Sequence, residues 1–480
     1  MRAGVRIYRL LLALVFSAAI VMIAVKWLDS HRDFLWYVTI VLVLASFVLM
    51  YLAWQSAMTP TRPPHIWSVA LFSFGAILFV PFVFFWDTFG TADFGSVLTS
   101  LSENRMTDLV NIGLDSLSGP ILEHVLIFIS LILGAAIFVR HIPYFNGLIL
   151  VLGVVFMTGS PVTVYAYRYF VPNKHHALLD LEADFVRPVV QDRPDVQKNI
   201  IYIYLESIER TYRDIPETEN AFAPLSELED RGLSFNQVSQ VYGVHFTAGG
   251  LVGTLCGAPL LPNGMRSLHK KTTKDADLDV LQFDGIMNDV TCLGDILSED
   301  GYIGSYLNGS DLDIFSKGEI LQSHGWDRVF GANSIRGPRS DVYENVWGLN
   351  DDTLFDYAQA ELEFLAGTGK PFMMGLLTLS THGPDGELDK GCNYPQVAKS
   401  YIPAAIYCTG QHVHAFLDKI EALGLRDETI VVVLSDHLAM KNTVWDLLKA
   451  QQAQRRNYVT ILGVEGRGVV TRPATPMDLY

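Results

Sequence analysis

Three apolar runs in this sequence end on groups able to hold a cation or move a proton. IIYIYLE closes on Glu206, PFMMGLLTLS leads into Ser380, Thr381 and His382, and TIVVVLSD delivers Asp436 with His437 beside it. Carboxylate oxygens and an imidazole nitrogen together suit Mn2+, Mg2+ or Zn2+. Neighbouring residues of a continuing strand point to opposite faces, so Asp436 and His437 converge only if the chain turns there. Taken singly, each of these residues also suits a helix cap or a solvated turn. The three ends together strengthen the metal reading beyond what any one of them carries, and spacing alone leaves both readings open.

A nucleophile is offered by VHFTAGGLVGTLCG (244–257), where Thr247 precedes a small-residue stretch that begins like a helix. Free N–H groups and the helix dipole at such a start favour an anion such as phosphate. Thr247 is also of the N-cap type, and the two uses are compatible because a cap hydroxyl faces the anion. Gly249 and Gly250 would let the backbone approach a ligand closely.

These groups need a scaffold that gathers them. From Ile200 onward, nearly continuous apolar runs (200–206, 371–380, 429–436) alternate with helical patterns such as 351–369 and 404–425. That alternation predicts an α/β/α sandwich over 200–480 with a mostly parallel central sheet, buried on both faces. In such sheets ligands collect at the carboxyl ends of the strands, where Glu206, His382, Asp436 and His437 stand.

The first third of the chain has another character. Half of the 480 residues are hydrophobic and only 18% are charged. Five runs, Leu10 to Trp27, Phe34 to Trp54, Ile66 to Trp86, Ile121 to Val139 and Phe145 to Val164, are each long enough to cross a hydrocarbon core of about 30 Å. Residues 1–164 are therefore expected to form a five-helix transmembrane domain, with an interfacial amphipathic helix near 97–117. A proline-broken tether is expected over 165–199. Arg2, Arg6, Arg9, Arg62 and Arg140 favour a cytoplasmic N-terminus, while Lys26 and Arg32 run against that pattern. An odd number of spans then places the remainder outside, beyond the membrane. All four cysteines fall in that outer part. This agrees with an oxidising compartment, and of the three pairings four cysteines allow, the local ones, Cys256 with Cys292 and Cys392 with Cys408, are expected. The net charge of -16 argues against a nucleic-acid partner.

YLESIERTY, the Thr247 segment, SHGWD (323–327), STHGPDG and SDHLAMKNTVW (435–445), in this order after five apolar runs, resemble the membrane-anchored phosphoglycerol transferases of the alkaline phosphatase and sulfatase superfamily. The nearest likeness is to the branch that decorates osmoregulated periplasmic glucans, with lipoteichoic acid synthases more distant. The resemblance runs from about Asn199 to the end of the chain. It implies an inner-membrane enzyme that moves phosphoglycerol from phosphatidylglycerol to a glucan acceptor, releasing diacylglycerol, through a phosphoglyceryl-threonine. It implies Glu206, Thr247, Asp436 and His437 as ligands of one divalent cation, manganese first and magnesium or zinc as alternatives. Thr247 is then also the nucleophile, and His382 a proton donor or phosphate ligand.

Lys317, His382, Asn442 and Trp326 are the implied substrate contacts, with core packing as the other use of Trp326 and of Trp347. Lys317 stands where teichoic acid synthases carry arginine; it supplies the charge without the bidentate grip. His245 is unexpected beside the nucleophile. Relatives continue beyond Tyr480 into a further helix, so truncation or an unusually short end is expected. A phosphoethanolamine transferase is the same-fold alternative, though its ESxRxDH pattern is not matched by ESIERTY. A catalytically silent membrane sensor is the third reading, and four retained ligands argue against it.

Overall fold

The computed structural model describes residues 66–89, 124–136, 145–160, 196–260, 290–337, 347–395 and 400–480, with a few isolated positions between them. The chain divides into two compact units, one of Met1–Phe94 with Gly113–Leu178 and one of Gly95–Ile112 with Leu179–Tyr480. The first two expected spans, the interfacial helix near 97–117 and most of the 165–199 tether lie outside the described residues.

In the first unit, α1 (Ile66–Phe89) packs on α2 (Phe145–Gly159), and 124–136 are also helical. The helices come close because glycine faces glycine. A Cβ on Gly75 would lie 2.7 Å from the Gly153 carbonyl oxygen, and one on Gly153 would lie 2.8 Å from the Phe72 nitrogen. Small residues at such a crossing let apolar helices associate through backbone contact. Outward-facing side chains are apolar as well, among them Trp67, Phe74, Ile77, Leu126, Val151 and Val155. Over the residues whose side chains are described, no helix is long and apolar enough to cross a membrane. The backbone of α1 is helical over 24 residues.

The second unit is built on one sheet. Its strands are β1 (Asn199–Leu205), β2 (Leu233–Phe235), β3 (Ile303–Asn308), β4 (Arg328–Phe330), β5 (Phe372–Leu377), β6 (Thr429–Ser435), β7 (Val459–Leu462) and β8 (Gly468–Val470). Their spatial order is β8-β2-β7-β6-β1-β5-β3-β4. Only β7 runs against the others. The three apolar runs of the sequence thus become adjacent central strands, β5-β1-β6. Each strand stops where the run meets its polar residue, so Glu206 and Asp436 lie just beyond the regular ladder.

Alternation along β1 divides the core. Ile201, Ile203 and Leu205 face α4 (Asp351–Gly367) and α5 (Ile402–Ala422), where Phe355, Leu362 and Phe416 complete one buried layer. Tyr202 and Tyr204 face the other side, against Leu251 and Leu255 of α3 (Thr247–Cys256). Period-two alternation with both faces apolar is what makes the run read as continuously hydrophobic. Two disulfides, Cys256–Cys292 and Cys392–Cys408, tie segments of this unit together.

Ile203 is fully buried at the centre of the sheet, whereas Val469 on edge strand β8 is 57% exposed. Ile203→Ala should lower unfolding stability by about 2–5 kcal/mol. Val469→Ala should stay within about 0.5 kcal/mol. Urea denaturation of the full chain, followed by tryptophan fluorescence, reads both.

Candidate active site and metal centre

The register of the sheet brings the first two candidate ligands together. Leu205 pairs with Ser435 in the parallel β1–β6 ladder, so the next residues, Glu206 and Asp436, emerge side by side. Both are buried, as is His437. Ligand atoms of Glu206, Asp436 and His437 all lie within 4.8 Å of one another. His437 Nε2 is 3.2 Å from Asp436 Oδ2 and 3.6 Å from Glu206 Oε1.

Local turns aim these groups. After Glu206 the chain takes a left-handed residue, Ser207, with φ of 53°. Non-glycine residues rarely adopt that conformation, and when they do the surrounding contacts must hold it. Here the Ser207 N–H donates to Asp436 Oδ1 at 2.9 Å, and the Ser207 hydroxyl donates to Glu206 Oε1 at 2.7 Å. The His437 N–H also donates to Asp436 Oδ1, at 2.7 Å, which closes the turn that Asp436 and His437 need in order to converge. On the far side of Glu206, its N–H donates to Thr378 Oγ1 at 2.9 Å and its carbonyl accepts the Thr381 hydroxyl.

A buried ion pair fixes the same two loops one turn further on. Glu209 Oε2 accepts the Ala439 N–H at 3.0 Å, and Arg455 donates both to Glu209, at 3.0 Å, and to the Ala439 carbonyl, at 2.6 Å.

The donor set fits one divalent cation. His437 Nδ1 stands 2.8 Å from the Leu438 carbonyl, which only a protonated Nδ1 can use, and this leaves the Nε2 lone pair toward the carboxylates. Asp436 Oδ2 is buried and has no hydrogen-bond partner, a costly state for a carboxylate oxygen unless it ligates something. Burial first, then the adjacent Glu206 charge, pushes the Asp436 carboxyl well above its usual range. Glu206 feels the same burial first, but His437, His382 and the hydrogen bonds with Asp436 and Ser207 together hold that carboxyl below its ordinary value. Two carboxylates this close, out of water, are both stable as anions when a cation joins them.

Thr247 Oγ1 lies 3.5 Å from His437 Nε2. The sequence reading of Thr247 as an N-cap is corrected. Phe246 occupies that position with extended backbone, and Thr247 is the first residue of α3. The glycines also act differently from expectation. A Cβ on Gly250 would lie 2.0 Å from the Asp436 carbonyl oxygen, and one on Gly249 would lie 2.5 Å from that of Gly243. The close approaches are thus within the protein itself, Gly250 to the Asp436 loop and Gly249 to the turn that precedes α3.

Lys317 is buried, and its Nζ donates to Ser310 Oγ at 2.5 Å. Burial lowers its pKa to about 8, with Glu206, Asp436 and Asp311 pulling the other way. Ser316, the residue before it, is the other non-glycine residue with positive φ among those described. His382 is pushed below its ordinary pKa by burial, against the pull of Glu206, and its Nδ1 is 2.7 Å from the Gly383 carbonyl. Its Nε2 therefore carries the lone pair.

Two expected substrate contacts are elsewhere occupied. Trp326 is 4% exposed and stands edge-on to Tyr306 at 5.4 Å, so it fills the core and offers no face to a sugar. Asn442 donates to the Tyr212 hydroxyl at 2.7 Å and accepts the Val444 N–H at 3.0 Å, which commits both ends of its amide to shaping the 438–445 loop.

Sequence reasoning missed the network behind His382. Asp351 Oδ1 accepts the Leu379 and Ser380 N–H groups at 2.6 and 3.1 Å, and its Oδ2 accepts the Thr409 hydroxyl at 2.6 Å. Ser380 donates to Asp389, which pairs with His412 at 2.9 Å. Burial, then the Asp389 charge, raises Asp351 to about 6. An aspartate opening a helical run reads as an ordinary N-terminal residue. Its burial beneath the strand end has no local sequence signal.

Gly250→Ala should weaken divalent-cation binding by at least about tenfold, because α3 or the Asp436 loop must move aside. Gly367→Ala, on α4 with nothing within 4 Å of the added carbon, should leave it unchanged. Calorimetric titration with Mn2+ distinguishes them.

The sulfatase family matches residues 198–460 of the chain. Phosphoglycerol transferase I of Salmonella paratyphi B is 33% identical over 331 residues, covering 67% of this chain and 42% of that protein. The chain thus spans less than half the length of that relative. The integral membrane lipooligosaccharide phosphoethanolamine transferase A of Neisseria meningitidis aligns over 99% of this chain and 94% of its own, with a TM-score of 0.50 and 15% identity, a likeness of fold. The lipoteichoic acid synthase LtaP of Listeria monocytogenes covers 59% of this chain and 70% of its own at a TM-score of 0.47 and 16% identity. With a family match over more than half of its residues, this chain belongs to the sulfatase family.

Proposed function

We propose that the protein transfers phosphoglycerol from phosphatidylglycerol to a periplasmic glucan through a phosphoglyceryl-threonine at Thr247, releasing diacylglycerol. The observation that carries this reading is the Thr247 hydroxyl, 3.5 Å from His437 Nε2 at the edge of the Glu206, Asp436 and His437 cluster. The name of the 33% identical relative supports phosphoglycerol as the group moved.

Glu206, Asp436 and His437, with Thr247, would hold one divalent cation, Mn2+ by preference. When bound, that cation lowers the cost of ionising the threonine hydroxyl and offsets charge on the phosphoryl oxygens. Thr247 attacks phosphorus, the bond to the diacylglycerol oxygen breaks, and that oxygen takes a proton. In the second half, a glucan hydroxyl attacks the phosphothreonine and Thr247 is released. The Nε2 lone pair of His382 takes the proton from the attacking hydroxyl in each half and returns it to the departing oxygen, that of diacylglycerol in the first half and that of Thr247 in the second. Lys317, charged at neutral pH, faces the phosphate as a point charge.

The localisation belongs to the same reading: an inner-membrane protein, N-terminus cytoplasmic, with the sulfatase-like unit in the periplasm. The apolar outer faces of α1, α2 and the 124–136 helix support a lipid environment, and the two disulfides support an oxidising one.

With labelled phosphatidylglycerol and Mn2+, the wild type should release diacylglycerol and label a glucan, and Thr247→Ala should lose both by at least about a thousandfold. Equal activity in the two proteins would refute the nucleophile, and release only from phosphatidylethanolamine would refute the donor. Lys317 becomes neutral as pH rises through about 8. The KM for phosphatidylglycerol should therefore rise above that pH, and Lys317→Arg, which stays charged, should abolish the rise.

A further inference from the structure

Among the described rings of the sulfatase-like unit, Tyr242 is the most exposed, at 57%. Single exposed aromatics are common on protein surfaces and by themselves mean little. Tyr242 differs in what lies beneath it and in what holds it. Its ring stacks on His245, with centroids 5.4 Å apart and planes 28° from parallel. His245 in turn meets Phe246 edge-on at 5.5 Å, and Phe246 is the buried N-cap residue of α3, directly before Thr247. A column of three rings thus leads from the nucleophile's helix start out to solvent.

The loop that presents this column is fixed on both sides. Gln240 Oε1 accepts the N–H of Leu438, the residue after ligand His437, at 2.6 Å. Gly243 accepts the Leu260 N–H through its carbonyl at 3.0 Å, and its own N–H donates to His245 Nδ1 at 3.2 Å. That carbonyl also sits against Gly249, where any side chain would clash. A ring surface held in this way loses little conformational entropy when a ligand settles on it.

We propose that the Tyr242–His245 stack is a platform for a sugar ring of the acceptor, placing one of its hydroxyls toward Thr247. The proposal rests on the transferase reading above and supplies what that reading lacks, a surface on this chain for the acceptor. A pyranose has an apolar face of C–H groups and a rim of hydroxyls. Tyr242 offers a flat apolar face whose edge carries a hydroxyl, and the lone pair that His245 Nδ1 uses for Gly243 leaves the neutral ring's proton on Nε2. An acyl chain would use the face and leave that polar rim without a match. The same pairing recurs at the proton-carrying group, where Trp347 lies 4.2 Å from the ring of His382.

The test uses the full chain in phosphatidylglycerol micelles with Mn2+ and a β-glucan oligosaccharide as acceptor. Tyr242→Ala should raise the KM for the oligosaccharide about tenfold, equivalent to roughly 1.4 kcal/mol of ring stacking, with kcat held within about twofold. Tyr242→Trp should restore the KM. A parallel measurement needs no turnover: calorimetric binding of the oligosaccharide to Thr247→Ala should weaken about tenfold when Tyr242→Ala is added. An unchanged oligosaccharide affinity overturns the platform, and so does a KM increase for phosphatidylglycerol instead, which would make Tyr242 a lipid contact. If the wild type releases no diacylglycerol and yet Tyr242→Ala abolishes oligosaccharide binding, the platform stands and the transferase reading falls.

Discussion

Two carboxylates, Glu206 and Asp436, stand side by side and out of water, and the rest of the site answers to that arrangement. Without a counter-charge the pair repels itself, and one carboxyl is driven to keep its proton. The fold does not relieve this by letting water in or by turning one group away. It holds both in place, with the left-handed Ser207, the parallel ladder of β1 and β6, and the Glu209–Arg455 pair behind them. Such strain persists where structure over-determines it, and a bound cation is what turns it into affinity.

Around that centre the remaining groups are set by how close they can come. Gly250 lets α3 rest on the Asp436 carbonyl, which brings the first residue of the helix, Thr247, to the cluster's edge. Lys317 is buried and His382 half-buried, and burial lowers the pKa of each, which brings the Lys317 charge within reach of titration at about 8 and keeps the His382 ring neutral with a lone pair to offer. The Asp351–Asp389–His412 network holds the start of the 379–382 turn from behind while Thr381 ties it to Glu206 in front. The carboxylate cluster and His382 are therefore positioned by one continuous set of hydrogen bonds.

What the sequence revealed follows the range of the interaction concerned. The strands and the polar residues that end them were legible because a parallel strand buried on both faces is a local run of apolar residues. The side-by-side placement of Glu206 and Asp436 was not, since it depends on a register between segments more than two hundred residues apart. Thr247 was found by its small-residue context, but whether it capped the helix or began it depends on backbone angles that composition does not encode. For Trp326 the sequence leaves both a sugar contact and core packing open, and packing against Tyr306 decides for the core. For Asn442 it offers only a substrate contact, and the bond to Tyr212 reveals a part in the fold. Buried acids such as Asp351 and Glu209 carry no local sequence signal because their partners are distant in sequence.

The central claim is that Thr247 becomes covalently loaded at a cation held by Glu206, Asp436 and His437. Peptide mass spectrometry of the protein after brief exposure to phosphatidylglycerol and Mn2+, quenched in acid, tests it most directly. The account predicts an increment of one phosphoglycerol group on the peptide containing Thr247, absent when Mn2+ is chelated beforehand. Diacylglycerol release without that increment, or the increment on another residue, would contradict it.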